Sequence, residues 1–138
     1  MVGVVVVTHG KLAEELISVV KFVVSGKPAV KMESVCLDPN KEFTLFAKEI
    51  KQAIKKVDEG DGVLIVTDMF GGTPSNISLT FLEEKKVEVI SGVNLPMLLK
   101  LATLPNQAGL EEAVKMAEAG GRDNIIVASK LLKKRSQS

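Results

Sequence analysis

The chain has 138 residues, of which 46% are hydrophobic and 25% charged, and its formal net charge is +1. These values are typical of one globular domain with its own core, and the low net charge excludes the basic surface of a nucleic-acid-binding protein. One histidine and one cysteine argue against a zinc site, and no apolar stretch approaches the roughly 20 residues of a membrane span.

The first half of the chain alternates between strand and helix patterns. A β-branched run at residues 2–7 predicts a buried strand, and apolar residues at helical spacing predict a helix over residues 11–24. Residues 30–37 predict a second strand, and a 3.6-residue period over residues 43–57 predicts a second helix. The buried side of the first helix is expected to hold Leu12, Leu16, Val19, Val20 and Val23.

The second half repeats this alternation. Strands are predicted at residues 62–67 and 87–90, and a short fifth strand at residues 124–128. Helices are predicted at residues 74–84, 95–104 and 110–119. We expect a single domain over residues 1–130, followed by a solvated, basic and polar tail over residues 131–138.

Continuous apolar strands that alternate with amphipathic helices indicate a mainly parallel sheet covered on both faces. Right-handed crossovers limit the topology, and the flavodoxin-like strand order 2-1-3-4 is the natural choice for four such units. The expected fold is therefore an α/β three-layer sandwich. In this order the first and third strands are neighbours, and ligands of such sheets bind where these strands end.

Two side chains that can take part in catalysis are expected at that edge. His9, the only histidine, ends the first strand, and Asp68 directly follows the third. Neighbouring strands lie about 4.8 Å apart, so the imidazole and the carboxylate can form a hydrogen bond. A carboxylate on one ring nitrogen fixes the tautomer and leaves the other nitrogen as a nucleophile. The sequence therefore predicts a His9–Asp68 catalytic pair.

The loop after Asp68 predicts an anion site. Gly71 and Gly72 allow the backbone to approach a ligand closely, and Thr73 supplies a hydroxyl at a helix start. Backbone amides at this turn, and at the helix that follows Gly10, suit a phosphoryl group. The candidate phosphate-binding residues are Gly10, Phe70, Gly71, Gly72 and Thr73.

Other interpretations of these residues remain open from spacing alone. The loop could be only a tight strand-to-helix turn in which Asp68 is a cap. Without a Ser or Cys nucleophile the pair argues against acyl transfer, and Thr73 as a nucleophile lacks the usual elbow motif. Neither a Walker motif nor a dinucleotide-binding motif is present, and no cofactor or metal is predicted.

Three motifs, in this order, resemble a known family: Thr8-His9-Gly10 after a valine-rich strand, residues 67–76 (TDMFGGTPSN) and residues 90–97 (ISGVNLPM). Together they resemble the IIA domain of the mannose family of the bacterial phosphoenolpyruvate:sugar phosphotransferase system. The resemblance implies a phosphotransferase in which His9 accepts phosphate on Nε2 from phospho-HPr and passes it to a IIB component. It also implies that Asp68 orients the ring and that Thr73 contacts the phosphate.

The resemblance further implies a cytoplasmic homodimer in which the last strand, residues 124–128, is exchanged between subunits. The IIB acceptor is expected to be a separate polypeptide, and the membrane IIC and IID components would be served indirectly. Asn94 and Pro96 are expected to shape the rim of the site, with Met69, Phe70 and Val93 as apolar neighbours of His9.

Three alternative functions remain open at this point. The chain could be the phosphodonor of a dihydroxyacetone kinase, although Gly71-Gly72-Thr73-Pro74 favours the sugar-transport branch. It could be a regulatory phosphoprotein that reports carbon supply. It could also be a small enzyme whose His–Asp base acts on a bound metabolite.

Overall fold

Four parallel strands form one sheet across residues 1–136, which are the residues that this computed structural model describes. The strands are β1 (Gly3–His9), β2 (Met32–Leu37), β3 (Val63–Thr67) and β4 (Val87–Ser91). In the sheet they run in the order β2-β1-β3-β4, which confirms the predicted flavodoxin-like topology. The carboxyl ends of β1 and β3, and therefore His9 and Asp68, are neighbours at one edge.

Helices cover both faces of the sheet. The described helices are α1 (Leu12–Val23), α2 (Phe43–Val57), α3 (Thr73–Leu79), α4 (Leu95–Ala102), α5 (Leu110–Asp123) and α6 (Ala128–Ser136). Helices α1, α4 and α5 pack on one face, and α2 and α3 pack on the other. Val4 and Val6 of β1 point into the first core and Val5 and Val7 into the second, because successive strand side chains alternate between faces.

The predicted buried face of α1 is confirmed for Val20 and for the partly buried Leu16, but it is wrong for the other three residues. Ala13, Ile17 and Val20 are the buried residues of this helix, whereas Leu12, Val19 and Val23 are close to half exposed. The buried Thr8 hydroxyl accepts a hydrogen bond from the Ala13 amide at 2.8 Å, and this bond ties the first turn to the end of β1. The small Ala13 therefore faces the sheet, and the larger Leu12 turns outward.

Residues 124–128, predicted as a fifth strand, do not form a strand in the single chain. Asn124 ends α5, residues 125–127 have no regular structure, and α6 begins at Ala128. A strand needs a hydrogen-bonded neighbour, and this segment has none within the described part of the chain. The tail expected from residue 131 is helical through Ser136, and its last two residues lie outside the described residues.

Two helix ends lie more than two residues from their predicted positions. α3 ends at Leu79 rather than near residue 84, and α5 continues to Asp123 rather than stopping at residue 119. None of the helices within residues 1–136 combines the length and apolar character that crossing a membrane requires.

Candidate functional site

His9 and Asp68 form a direct hydrogen bond at the carboxyl edge of the sheet. Nδ1 of His9 lies 2.8 Å from Oδ2 of Asp68, and the His9 backbone amide donates to the same oxygen at 3.0 Å. The predicted hydrogen bond is therefore present. A carboxylate only accepts, so Nδ1 carries the shared proton and Nε2 of the neutral ring keeps its lone pair. The half-exposed ring can present this nitrogen to a reacting group.

Asp68 is held in its ionised form by the same contacts. Its other carboxylate oxygen, Oδ1, accepts a hydrogen bond from the Met69 amide at 3.0 Å. Partial burial acts to raise the pKa of Asp68, but hydrogen bonds from the His9 ring, the His9 amide and the Met69 amide outweigh it and lower the pKa below its usual value. A fixed negative charge thus lies behind the imidazole at neutral pH.

Backbone contacts fix the turn that carries His9. The Gly10 amide donates to the carbonyl of Leu37 at 2.6 Å, which links the end of β1 to the end of β2. Gly10 has a φ of 55°, in the left-handed region that favours glycine, and this geometry allows α1 to begin at once behind the histidine.

Hydroxyl groups at the ends of β3 and β4 support the loop that carries Asp68. Thr67 is buried, and its hydroxyl lies 2.7 Å from that of Ser91. The Thr67 carbonyl accepts from the amides of Gly92 and Val93, each at 3.0 Å. The supporting roles of Thr8, Thr67 and Ser91 were not predicted from the sequence. Each of these residues carries a hydroxyl in one of the last two positions of its strand, and this pattern could have identified them.

The glycine-rich loop lies directly against the histidine ring. A Cβ atom at Gly72 would lie 2.9 Å from His9 Cε1 and 3.4 Å from Nε2. Gly72 has an ordinary extended conformation with φ of −87°, so the position needs glycine for space and not for backbone freedom. Gly71, in contrast, has a φ of 93° and open space around it. The two glycines therefore meet different requirements.

The remaining predicted residues occupy the same loop or its neighbour. Thr73 begins α3 and is partly buried, whereas Phe70 is 75% exposed and Met69 is 54% exposed. The Asn94 side chain makes two structural hydrogen bonds. Its Oδ1 accepts from the Met97 amide at 3.0 Å to cap α4, and its Nδ2 donates to the Gly121 carbonyl at 3.0 Å. Pro96 lies in the first turn of α4.

The arrangement offers a nucleophilic ring nitrogen, a fixed carboxylate behind it and a closely packed glycine loop in front. No group of three or more His, Cys, Asp or Glu side chains among residues 1–136 is placed to hold a metal ion. These features suit transfer of a group to and from the imidazole nitrogen.

Curated proteins are similar to this chain in sequence. The chain is 34% identical over 84 residues to the "PTS system fructose-specific EIIA component" of Bacillus subtilis (strain 168), covering 60% of this chain and 58% of that protein. It is 32% identical over 126 residues to the "PTS system mannose-specific EIIAB component" of Escherichia coli (strain K12), covering 90% of this chain and 38% of that protein. The chain thus spans only part of the length of both relatives.

Solved structures share the fold. A phosphotransferase system EIIA component from Streptococcus agalactiae superposes with a TM-score of 0.81 at 20% identity, covering 94% of this chain and 99% of that one. A PTS IIA protein associated with the fucose utilization operon of Streptococcus pneumoniae superposes with a TM-score of 0.80 at 24% identity, covering 95% and 96%. The family model described as "PTS system fructose IIA component" matches residues 3–118. The chain therefore belongs to this family, the mannose and fructose IIA components of the phosphotransferase system.

Proposed function

We propose that this protein is a cytoplasmic phosphoryl carrier for sugar uptake, in which His9 accepts phosphate from phospho-HPr and passes it to a IIB component. The 2.8 Å hydrogen bond between His9 and Asp68 carries the proposal, because it leaves Nε2 free and supplies a counter-charge. The membrane IIC and IID components would then be served only indirectly, through IIB.

In the transfer step, the Nε2 lone pair attacks the phosphorus of the donor's phosphohistidine. The new N–P bond forms on His9 while the donor's N–P bond breaks and its electron pair returns to the donor ring. The phosphorylated ring keeps the proton on Nδ1 and becomes positively charged. Asp68 lies 2.8 Å away and stabilises that charge. Transfer to IIB repeats the same exchange with His9 as the donor.

The glycine loop leaves room for the phosphoryl group. Gly72 has no side chain beside Nε2, so phosphoryl oxygens can reach the backbone amides of the loop and the Thr73 hydroxyl. No arginine precedes Arg122 in the chain. A few amides and a hydroxyl bind phosphate less tightly than an arginine cluster would, and this suits a reversible carrier.

The surroundings of His9 favour a protein partner over a small metabolite. Met69 and Phe70, directly after Asp68, expose more than half of their surfaces, and the imidazole is itself half exposed. Small ligands are usually bound in cavities that enclose most of their surface, whereas protein partners dock on exposed apolar surface. HPr and a IIB component are proteins, so an exposed apolar surface of this kind suits them as partners.

The direct test is incubation of the protein with phosphoenolpyruvate, enzyme I and HPr, followed by intact-mass analysis. We expect one acid-labile phosphate on the protein, and none when HPr is omitted. A folded protein that takes up no phosphate from HPr of its own cell would contradict the proposal and favour the metabolite-enzyme alternative.

Replacing Gly72 by alanine should slow phosphate uptake about 100-fold, because displacing the reacting ring by a fraction of an ångström disturbs in-line attack. Gly109→Ala is a matched control. Gly109 is also the residue before a helix, with φ of −83° and ψ of 179°, but nothing lies within 4 Å of its Cβ position. Initial rates of phosphorylation measure the effect, and equal rates for the two variants would remove Gly72 from the site.

The carrier is a homodimer in this proposal, with residues 124–128 of each subunit paired to the outer edge of the partner's β4. Among the described residues β4 has a neighbour on one side only, and Ile125, Ile126 and Val127 are exposed, β-branched residues that suit a strand. Deleting residues 124–138 should shift the dimer toward monomer or aggregate by light scattering. His9→Ala serves as the control, and an unaltered dimer would refute the exchange.

A further inference from the structure

An acidic cavity lies at the edge of the sheet opposite His9. It has a volume of about 730 Å³ and opens at the amino ends of β3 and β4. Its apolar lining consists of Leu82, Val87, Leu110 and Val114. Five carboxylates and two lysines surround that lining. Glu84 and Glu88 are the carboxylates without an ion pair among the described residues.

The C-terminal arm, residues 125–135, has the complementary chemistry. Its apolar side chains are 41% to 74% exposed, which leaves them in water in the single chain. They are Ile125, Ile126, Val127, Leu131 and Leu132. Four basic residues lie at positions 130 and 133–135, and no acidic residue follows Asp123. An exposed apolar segment of this kind marks an interaction surface.

The path of the arm leads from β4 to the cavity. Ile125 lies at the carboxyl end of β4, where it lines a small cavity of about 150 Å³ with Ile90 and Ser91. At about 3.3 Å per residue, the five residues of β4 span about 16 Å, which is the length of residues 125–129 in an extended conformation. An arm that runs antiparallel along the partner's β4, starting at the carboxyl end of that strand, therefore brings residues 130–135 to its amino end. This path requires the start of α6, which begins at Ala128 in the single chain, to extend on exchange.

We propose that the basic end of the arm, residues 130–135, docks into the acidic cavity of a second copy of this chain. Leu131 and Leu132 cover the apolar lining, and the basic side chains face Glu84 and Glu88. Helix α6 of the arm is exposed in the single chain. In a two-fold dimer each arm docks into the cavity of the other chain, so both arms are covered and both cavities are filled. This docking rests on the exchanged dimer proposed above and is independent of phosphoryl transfer at His9.

Charge reversal tests the docking. An arm variant carries Lys133→Glu and Lys134→Glu, and a cavity variant carries Glu84→Lys and Glu88→Lys. Each alone should weaken the dimer about tenfold in dissociation constant, measured by analytical ultracentrifugation over a dilution series. Lys55→Glu with Lys56→Glu changes the net charge as the arm variant does, but on the exposed side of α2, and should leave the dimer as in the wild type.

Mixing the two variants identifies the occupant of the cavity. A mixture should recover wild-type affinity, because each reversed arm then meets a reversed cavity on the other chain. Recovery only when all four substitutions stand in one chain would show docking onto the arm's own cavity and overturn the proposal. Unchanged dimers, or equal weakening by the α2 control, would also overturn it. All variants should still accept phosphate at His9, so failure of the carrier function would be seen separately.

Discussion

His9→Ala will take up no phosphate from phospho-HPr while it keeps the wild-type fold. His9 is the only histidine in the chain, so no second imidazole can replace it. Its ring is half exposed, and truncating it opens no cavity in either core. The free energy of unfolding should fall by about 1 kcal/mol, because the hydrogen bond between the ring and Asp68 is lost.

The measurement is intact mass after incubation with phosphoenolpyruvate, enzyme I and HPr, with circular dichroism and thermal unfolding as checks on the fold. Lys11→Ala is the control, because it alters an exposed neighbour of the same turn and leaves the imidazole in place. Phosphate on a folded His9→Ala protein would move the acceptor elsewhere, with Thr73 the first alternative to examine.

Asp68→Asn should reduce the rate of phosphate transfer by about 10²- to 10⁴-fold. The amide preserves the size of the side chain but removes the negative charge that stabilises the phosphorylated ring. Its NH₂ group can also donate to Nδ1, which would shift the ring proton to Nε2 and block the nucleophile. Rapid-quench measurement of single-turnover transfer separates this loss of rate from weaker HPr binding.

Asp58→Asn is the matched control for this substitution. The Asp58 carboxylate also accepts a backbone hydrogen bond, from Gly60 at 2.8 Å, but it lies at the turn before β3, at the other end of the sheet. We expect this variant to transfer phosphate at the wild-type rate. A wild-type rate for Asp68→Asn as well would reduce Asp68 to a cap of its turn.

Asp68→Asn should also change the acid stability of the protein. The pKa of Asp68 is lowered in the folded state, so its contribution to stability is full above the unfolded value of about 3.8 and is lost as pH falls through the lower folded value. Wild-type protein should therefore lose more stability than Asp68→Asn over that acid range, measured as the free energy of unfolding against pH.

Much of the site was predictable because its residues follow strands that are easy to identify. The apolar runs of β1 and β3 leave few alternatives for where each strand ends, and the strand order then makes those ends neighbours. The hydrogen bond between His9 and Asp68 follows from that placement. The resemblance over three separated motifs pointed to the same family that the comparisons show.

Other features depend on contacts that the sequence does not display. The buried face of α1 was predicted only in part because hydrophobicity favours burying Leu12, whereas the Thr8 hydroxyl holds Ala13 against the sheet. The Asn94 side chain was expected to shape the rim, and its hydrogen bond to the Gly121 carbonyl, which joins α4 to α5, was not predicted. Both features depend on hydrogen bonds to a partner on another element.

The sequence by itself determined the α/β class, the parallel strand order and the pairing of His9 with Asp68, because local periodicity and chain connectivity admit few arrangements. Only the tertiary structure decided that Gly72 lies against the imidazole, that Thr67 and Ser91 join the ends of two strands, and that the C-terminal arm leaves the sheet of its own chain. The physical reason is that clearances and hydrogen bonds between distant residues depend on how closely packed elements approach one another, which residue spacing does not encode.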